Sequence, residues 1–392
     1  MFLVLAVLIP FLIANEIIRW TWKRNFPASQ YFVRNWQLSY SLRPNFHKKV
    51  KVGLLNLWVW QGKDAVWELN ANAQGIRHSR DISPQKAGNV FRVICLGDSV
   101  TFGQDVDDRY TYSSQTEQLL REALQDRVNI EVINAGVPGY TSRQGLIYYS
   151  TALSKLQPDL LVLEFGLNDN QGVAITSMVS DKKLLPGDVN SGFKKMYHSP
   201  YFISYLILDQ PLFSMLRYYG TFISMAIFQQ KLKKARENQN GIFKSAKKSN
   251  WLNAPRVPVN DYFENLTQFK ELAGQNRFRL LFYLPYGLPP SYKKVALTFA
   301  YENKIPVVDF SQRLTAYKYQ DLLENPVHAR LLESYAQILG KDFLQKYPEY
   351  LLTTDGGHPN AVGNRIIAEE MAKAITANFF VPPNPAPGPA QP

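Results

Sequence analysis

Four short segments carry side chains whose types and spacing suit nucleophilic attack on an ester carbonyl. They are Gly97-Asp98-Ser99, Asn134-Ala135-Gly136-Val137-Pro138-Gly139, Gly166-Leu167-Asn168-Asp169 and Asp355-Gly356-Gly357-His358-Pro359. A serine hydroxyl is a weak nucleophile until a base removes its proton. Only five histidines are present, at 47, 78, 198, 328 and 358. His358 can act on Ser99 if an acceptor holds its other ring nitrogen. Asp355 lies three residues earlier with two glycines between, so the chain can fold back and bring its carboxylate to the imidazole. Gly139 can present a backbone N–H at close range because no Cβ intervenes. Asn168 adds a side-chain N–H, and the Ser99 backbone N–H completes an oxyanion hole. Losing one such donor typically costs about 3 kcal/mol of transition-state stabilisation.

Each segment has an ordinary reading when taken alone. Gly-Asp-Ser after a strand makes a capped turn, Asp-x-x-His starts surface helices, and Gly-x-Asn-Asp closes strands. The elements that must position them argue for the joint reading. Phe91–Leu96 is a short apolar, β-branched run read as a buried strand, as are Ile130–Ile133, Leu160–Phe165, Phe278–Tyr286 and Ile305–Phe310. Tyr112, Thr116, Leu119, Leu120 and Ala123 repeat at helical spacing, as do Leu146, Tyr149, Leu153 and Leu156. A further helical stretch lies between the last two strands, and a closing helix is expected near Ala361–Thr376. This alternation predicts an α/β protein with a parallel sheet covered by helices on both faces. In such a sheet ligands bind beyond the carboxyl ends of the strands, where all four segments fall.

On these residues the chain resembles the SGNH (GDSL-type) hydrolases, over about 90–170 and again over 260–378. Ser99 stands in the Gly-Asp-Ser block, Gly139 in the Asn-Ala-Gly-Val-Pro-Gly block, Asn168 in Gly-Leu-Asn-Asp, and Asp355 and His358 in Asp-Gly-Gly-His. The resemblance implies Ser99 as nucleophile, His358 as base oriented by Asp355, and Ser99, Gly139 and Asn168 as oxyanion donors, with Gly136 the weaker alternative to Gly139. It also implies a three-layer α/β/α sandwich with five parallel strands in flavodoxin-like order. Two departures stand out: Asn168 and Asp355 are separated by 187 positions, and an apolar segment opens the chain. The second is similar to membrane-tethered bacterial members of the family, in which an NxxG(F/I)R-like segment precedes the first strand. Asn72-Ala73-Gln74-Gly75-Ile76-Arg77 is similar to it, and a structural role for Arg77 is favoured over substrate binding.

The rest of the chain sets limits. Its 392 residues are 46% hydrophobic and 19% charged, which excludes disordered, collagen-like and coiled-coil classes. The single cysteine, Cys95, excludes an intramolecular disulfide framework and a cysteine-rich zinc module. No metal or organic cofactor is implied, for want of a ligand cluster or phosphate-binding loop. The net charge of +12 is concentrated in residues 1–60 and 181–250. No nucleic-acid module organises these charges, so a juxtamembrane basic segment is the simpler reading. Residues 2–14 are uncharged, and Ile17 and Ile18 extend the run past Asn15 and Glu16 to 17 residues, about 25 Å as a helix. Trp20 and Trp22 then mark an interface, followed by Lys23 and Arg24. Residues 1–24 are therefore expected to form a transmembrane anchor. Taken alone, the basic residues after the run place the body in the cytoplasm, whereas the tethered relatives imply an extracytoplasmic catalytic domain, the reading favoured here.

The expected organisation is anchor 1–24, an irregular lead-in 25–90, a catalytic domain 91–378 with a helical insertion at about 171–258, and a disordered proline-rich tail 379–392. The insertion holds the apolar stretch Tyr201–Phe228, which could cap the site, lie on a membrane or pack as core. The leading expectation is a serine esterase acting on short acyl, above all acetyl, esters of carbohydrate or cell-envelope polymers. An O-acetyltransferase using the same acyl-enzyme and a non-catalytic envelope scaffold are the alternatives. Activity should fall as pH drops through the imidazole pKa, about 6.5 when unperturbed.

Overall fold

The computed structural model describes residues 31–51 except 36, 66–170 except 126, 255–312 and 317–380, with two isolated positions nearer the N-terminus. Strands β5 (Val90–Gly97), β6 (Asn129–Asn134), β7 (Leu160–Glu164), β8 (Arg279–Leu284) and β9 (Val307–Asp309) form one sheet, ordered β6-β5-β7-β8-β9. Every neighbouring pair is parallel. Counted from β5, the order is 2-1-3-4-5, the flavodoxin-like arrangement, whose ligand crevice opens where the order reverses. That place is the carboxyl end of β5 and β7.

Residue alternation explains the two layers. Ile94 and Leu96 of β5 face a core shared with helices α3 (Ser142–Thr151), α4 (Val259–Asn276) and α5 (Pro290–Glu302). Val93 and Cys95 face the opposite core, with α2 (Tyr112–Leu124), α7 (Pro326–Leu339) and α9 (Ala361–Phe379). Both faces of the strands are covered, so they read as near-continuous apolar runs. The three-layer α/β/α sandwich is thus present. The fourth strand stops at Leu284 rather than Tyr286, because Pro285 has no N–H for the ladder. The short helices α6 (Tyr319–Leu323) and α8 (Lys341–Lys346), which flank α7, follow β9.

The expectation of an irregular lead-in is corrected. Strands β1 (Phe32–Asn35) and β2 (Ser39–Leu42) pair antiparallel, as do β3 (Phe46–Lys51) and β4 (Val66–Ala71). The Asn35 side chain accepts from the Gln37 and Leu38 N–H groups and sets the first turn. The burial pattern of β4 places Trp67, Leu69 and Ala71 inside. There they meet Tyr31, Phe46, Val50 and Phe102 in a small separate core. The expected anchor over 1–24, residues 171–254 of the insertion and residues 381–392 of the tail lie outside the described residues. Among the described residues no helix is long and apolar enough to cross a membrane.

Phe102 is fully buried in that small core yet belongs to the turn that follows β5. Truncation to Phe102→Ala should lower the unfolding free energy by about 3–5 kcal/mol, measured by urea titration.

Candidate active site

β5 ends at Gly97, and Asp98 caps the short helix α1 (Ser99–Phe102), its side chain accepting the Val100 N–H at 2.9 Å. Ser99 therefore sits at the head of α1, above the sheet. The other end of α1 is held by Arg77. Its guanidinium donates to the carbonyls of Phe102 (2.5 Å), Gly103 (2.7 Å) and Val106 (2.6 Å) and pairs with Asp108 at 2.7 Å. The same group lies over the rings of Trp67 and Phe102. The structural role expected for Arg77 matches this placement: it ties the lead-in to α1.

His358 reaches Ser99 from the loop before α9. Asn360 caps α9 by accepting from the Gly363 N–H, and its amide donates to the Leu351 carbonyl at 3.0 Å. Within the loop, Asp355 Oδ1 accepts the Gly357 N–H at 3.0 Å and the His358 N–H at 2.8 Å. This leaves Asp355 Oδ2 for His358 Nδ1, at 2.7 Å, while His358 Nε2 lies 2.8 Å from Ser99 Oγ. Residues 259 positions apart thus form one hydrogen-bonded line. The His358 side chain keeps 30% exposure, so a substrate can approach Nε2 and the hydroxyl.

The electrostatics favour a charged imidazole. Burial works against protonation of His358, but the Asp355 carboxylate and its hydrogen bond, with Asp105 and Asp98 beyond, outweigh it and hold the pKa at about 9. Burial likewise opposes ionisation of Asp355, and the His358 charge and N–H donors bring it down to about 2.

Asn168 and Gly139 approach from the neighbouring strand ends. Asn168 Nδ2 donates to Asp98 Oδ2 at 2.7 Å, which fixes the amide beside the residue preceding Ser99 and leaves its second N–H for another acceptor. The Val137 N–H donates to the Gly97 carbonyl at 3.1 Å, drawing the 135–140 loop onto the end of β5. Gly136 is pressed against α1, where a Cβ would lie 2.1 Å from Phe102 N, and its own N–H is bound to Asn134 Oδ1. Gly139 turns with φ +83°, a region in which glycine has no steric cost.

Two carboxylates to which the sequence reading assigned no role lie beneath these groups. Glu164, at the end of β7, accepts from the Asp98 N–H and from the Thr101 N–H and hydroxyl. Burial and the adjacent Asp98 push its pKa well up, against the pull of the Asp98 N–H and Thr101 donors. Asp169 accepts the Ser142 N–H and hydroxyl and the Gly166 N–H, bolting the start of α3 to the end of β7. Burial raises it to about 7 against those bonds and the nearby Arg256 charge. A single glutamate ending the apolar run Leu160–Phe165 was the one signal available for Glu164. Among the described residues no group of three or more His, Cys, Asp or Glu could hold a metal ion.

A flavodoxin-like sheet with a serine, a histidine and an aspartate in hydrogen-bonded line at its carboxyl edge has the layout of an α/β serine hydrolase. Residues 95–199 match the model of the GDSL-like lipase/acylhydrolase family. A segment of 78 residues is 33% identical to the Bacillus subtilis protein named uncharacterized lipoprotein YqeF. It covers 20% of this chain and 31% of that relative, so the match spans about a third of the relative's length. Solved structures with some likeness include a lipase/acylhydrolase from Enterococcus faecalis (16% identity, TM-score 0.35, covering 73% of this chain and 96% of that one). Another is an acetyl xylan esterase (15%, TM-score 0.37, covering 73% and 100%).

The imidazole should titrate well above the ordinary value of about 6.5, and the Asp355→Asn variant should bring its midpoint down by more than one unit. Proton NMR of the His358 ring against pH reads both values, and a midpoint that ignores the substitution would remove Asp355 as its cause.

Proposed function

We propose that the protein is a serine esterase in which Ser99, His358 and Asp355 form the catalytic triad. The observation carrying this reading is the unbroken line from Ser99 Oγ through His358 to Asp355, at 2.8 and 2.7 Å. Ser99 Oγ attacks the ester carbonyl carbon while His358 Nε2 takes the hydroxyl proton. The carbonyl oxygen becomes an oxyanion facing the Ser99 N–H, the Gly139 N–H and the second N–H of Asn168. Collapse breaks the bond to the alcohol, which leaves with the proton from His358. Water then attacks the acyl-enzyme with His358 again as base, releasing the acid and restoring Ser99. Gly139 is chosen over Gly136 because the Gly136 N–H is already engaged.

The substrates in this reading are short acyl, above all acetyl, esters on carbohydrate or cell-envelope material. The chain is held at a membrane by residues 1–24, with the catalytic domain on the extracytoplasmic side. The uncharged run 2–14 supports the tether, and the name of the Bacillus subtilis relative is in keeping with it.

The test is hydrolysis of p-nitrophenyl acetate, butyrate and octanoate by the full chain in detergent, with fluorophosphonate labelling in parallel. Turnover and labelling should both vanish in Ser99→Ala, and acetate should be preferred. Asn168→Ala should lower kcat by about 100- to 1000-fold. Because the base must be neutral and protonation is favoured below its pKa of about 9, kcat/KM should rise with pH through neutrality and level off above that value. Hydrolysis that persists in Ser99→Ala would overturn the assignment.

A further inference from the structure

Two segments far from the sheet in sequence meet on the loop that carries Gly139. From β2, the Tyr40 hydroxyl donates to the Pro138 carbonyl at 2.6 Å. From residues just before α4, Arg256 Nη1 donates to the Gly139 carbonyl at 2.6 Å, and Nη2 to Gln144 Oε1 at 3.0 Å. Gln144 in turn completes the capping box of α3 with Thr141 and donates to the Leu38 carbonyl at 2.8 Å. The Tyr140 hydroxyl donates back to the Tyr40 carbonyl at 2.5 Å. The loop is therefore gripped from both sides.

The carbonyls chosen matter. A peptide unit is planar and trans, so its C=O and N–H point in opposite directions. The Pro138 carbonyl shares its peptide unit with the Gly139 N–H, and the Gly139 carbonyl belongs to the next unit. Tyr40 and Arg256 thus anchor the two peptide planes on either side of one α-carbon. At φ +83° a glycine between unanchored planes has several low-energy orientations, and most of them turn its N–H elsewhere. A hydrogen bond to the carbonyl also polarises the N–H of the same unit.

We propose that Tyr40 and Arg256 are positioning residues that aim the Gly139 N–H at the oxyanion, so that the lead-in is a working part of the active site. This rests on the reading of Gly139 as an oxyanion donor. Neither residue touches the reacting atoms. Their effect should appear only as negative charge develops on the carbonyl oxygen.

Tyr40→Phe keeps the ring that packs against Phe32 and Tyr140 and deletes only the hydroxyl. It should lower kcat on p-nitrophenyl acetate by about tenfold, a fraction of the loss from removing a donor outright, with KM within about twofold. Affinity for a trifluoromethyl ketone should fall by the same factor. That compound adds to the Ser99 hydroxyl to give a tetrahedral oxyanion, with the proton passing to His358. An effect on kcat and melting temperature without one on ketone affinity would mean mere loosening of the fold and overturn the proposal, as would an unchanged kcat. If Tyr40→Phe does not fold, Arg256→Lys, which keeps the charge but loses the two-pronged grip, must show the same paired loss. Absence of Ser99-dependent fluorophosphonate labelling in the unaltered protein would overturn the esterase reading and this proposal together. Intact labelling with wild-type kinetics in Tyr40→Phe would overturn the proposal alone.

Discussion

An imidazole takes a proton from a hydroxyl only through an unprotonated nitrogen, and which nitrogen is unprotonated depends on what the other one is bonded to. In the neutral form of His358 the Asp355 carboxylate at 2.7 Å favours the proton on Nδ1 and leaves Nε2 facing Ser99 at 2.8 Å. Much of the surrounding structure serves to keep that geometry. Asp355 is fixed by the two N–H groups of its own loop, the loop is moored by Asn360, and Asn360 is also the cap of α9. The helix, the loop and the base are therefore positioned as a unit. Burial of the apolar face of α9 against the sheet is what holds the unit in place.

The opposite wall is built from the lead-in. Arg77 and Phe102 fasten the end of α1 to the β3–β4 pair, and Tyr40 of the β1–β2 pair bonds the loop after β6. A five-stranded sheet can bring the ends of β5, β6 and β7 near one another, but loops at a sheet edge have few apolar contacts to fix them. The antiparallel pairs supply that packing. A buried guanidinium is costly unless each of its N–H groups has an acceptor. Arg77 meets the requirement with three carbonyls of the turn after Ser99, the Glu68 carbonyl and one carboxylate. The satisfaction of the charge and the rigidity of the turn are one set of bonds.

This division explains what was legible in the sequence. Strands buried on both faces announce themselves as apolar runs, and motifs that follow strand ends inherit a place at one edge of the sheet. Ser99 and Asn168 could be gathered on that basis, since strand order does not alter which edge they occupy, and Asp355 and His358 were marked by standing just before the closing helix. The lead-in was not legible in the same way. Its four strands are only four to six residues long, and one of its paired strands lies beyond residues 52–65. Tyr40 acts on a residue 98 positions away and Arg256 on one 117 positions away. Neither has a local pattern, because a hydrogen bond to a distant backbone carbonyl requires only a donor of the right length.

In the proposed mechanism an oxyanion forms in a site built with five acidic side chains: Asp98, Asp105, Glu164, Asp169 and Asp355. Left ionised together, they would oppose the oxyanion in a low-dielectric setting. Burial and the adjacent Asp98 raise the pKa of Glu164 and so favour its neutral form. Asp169 is lifted to about 7 and wrapped in N–H and hydroxyl donors beside the Arg256 charge. Asp98 accepts from the Asn168 amide and so holds in place the side chain proposed as an oxyanion donor. Asp355, Asp105 and Asp98 favour the charged form of His358, which in the proposed mechanism forms in the step that makes the oxyanion negative. In that mechanism the carboxylates beside His358 favour the imidazolium, while the Ser99, Gly139 and Asn168 N–H groups take up the charge of the oxyanion on the other side.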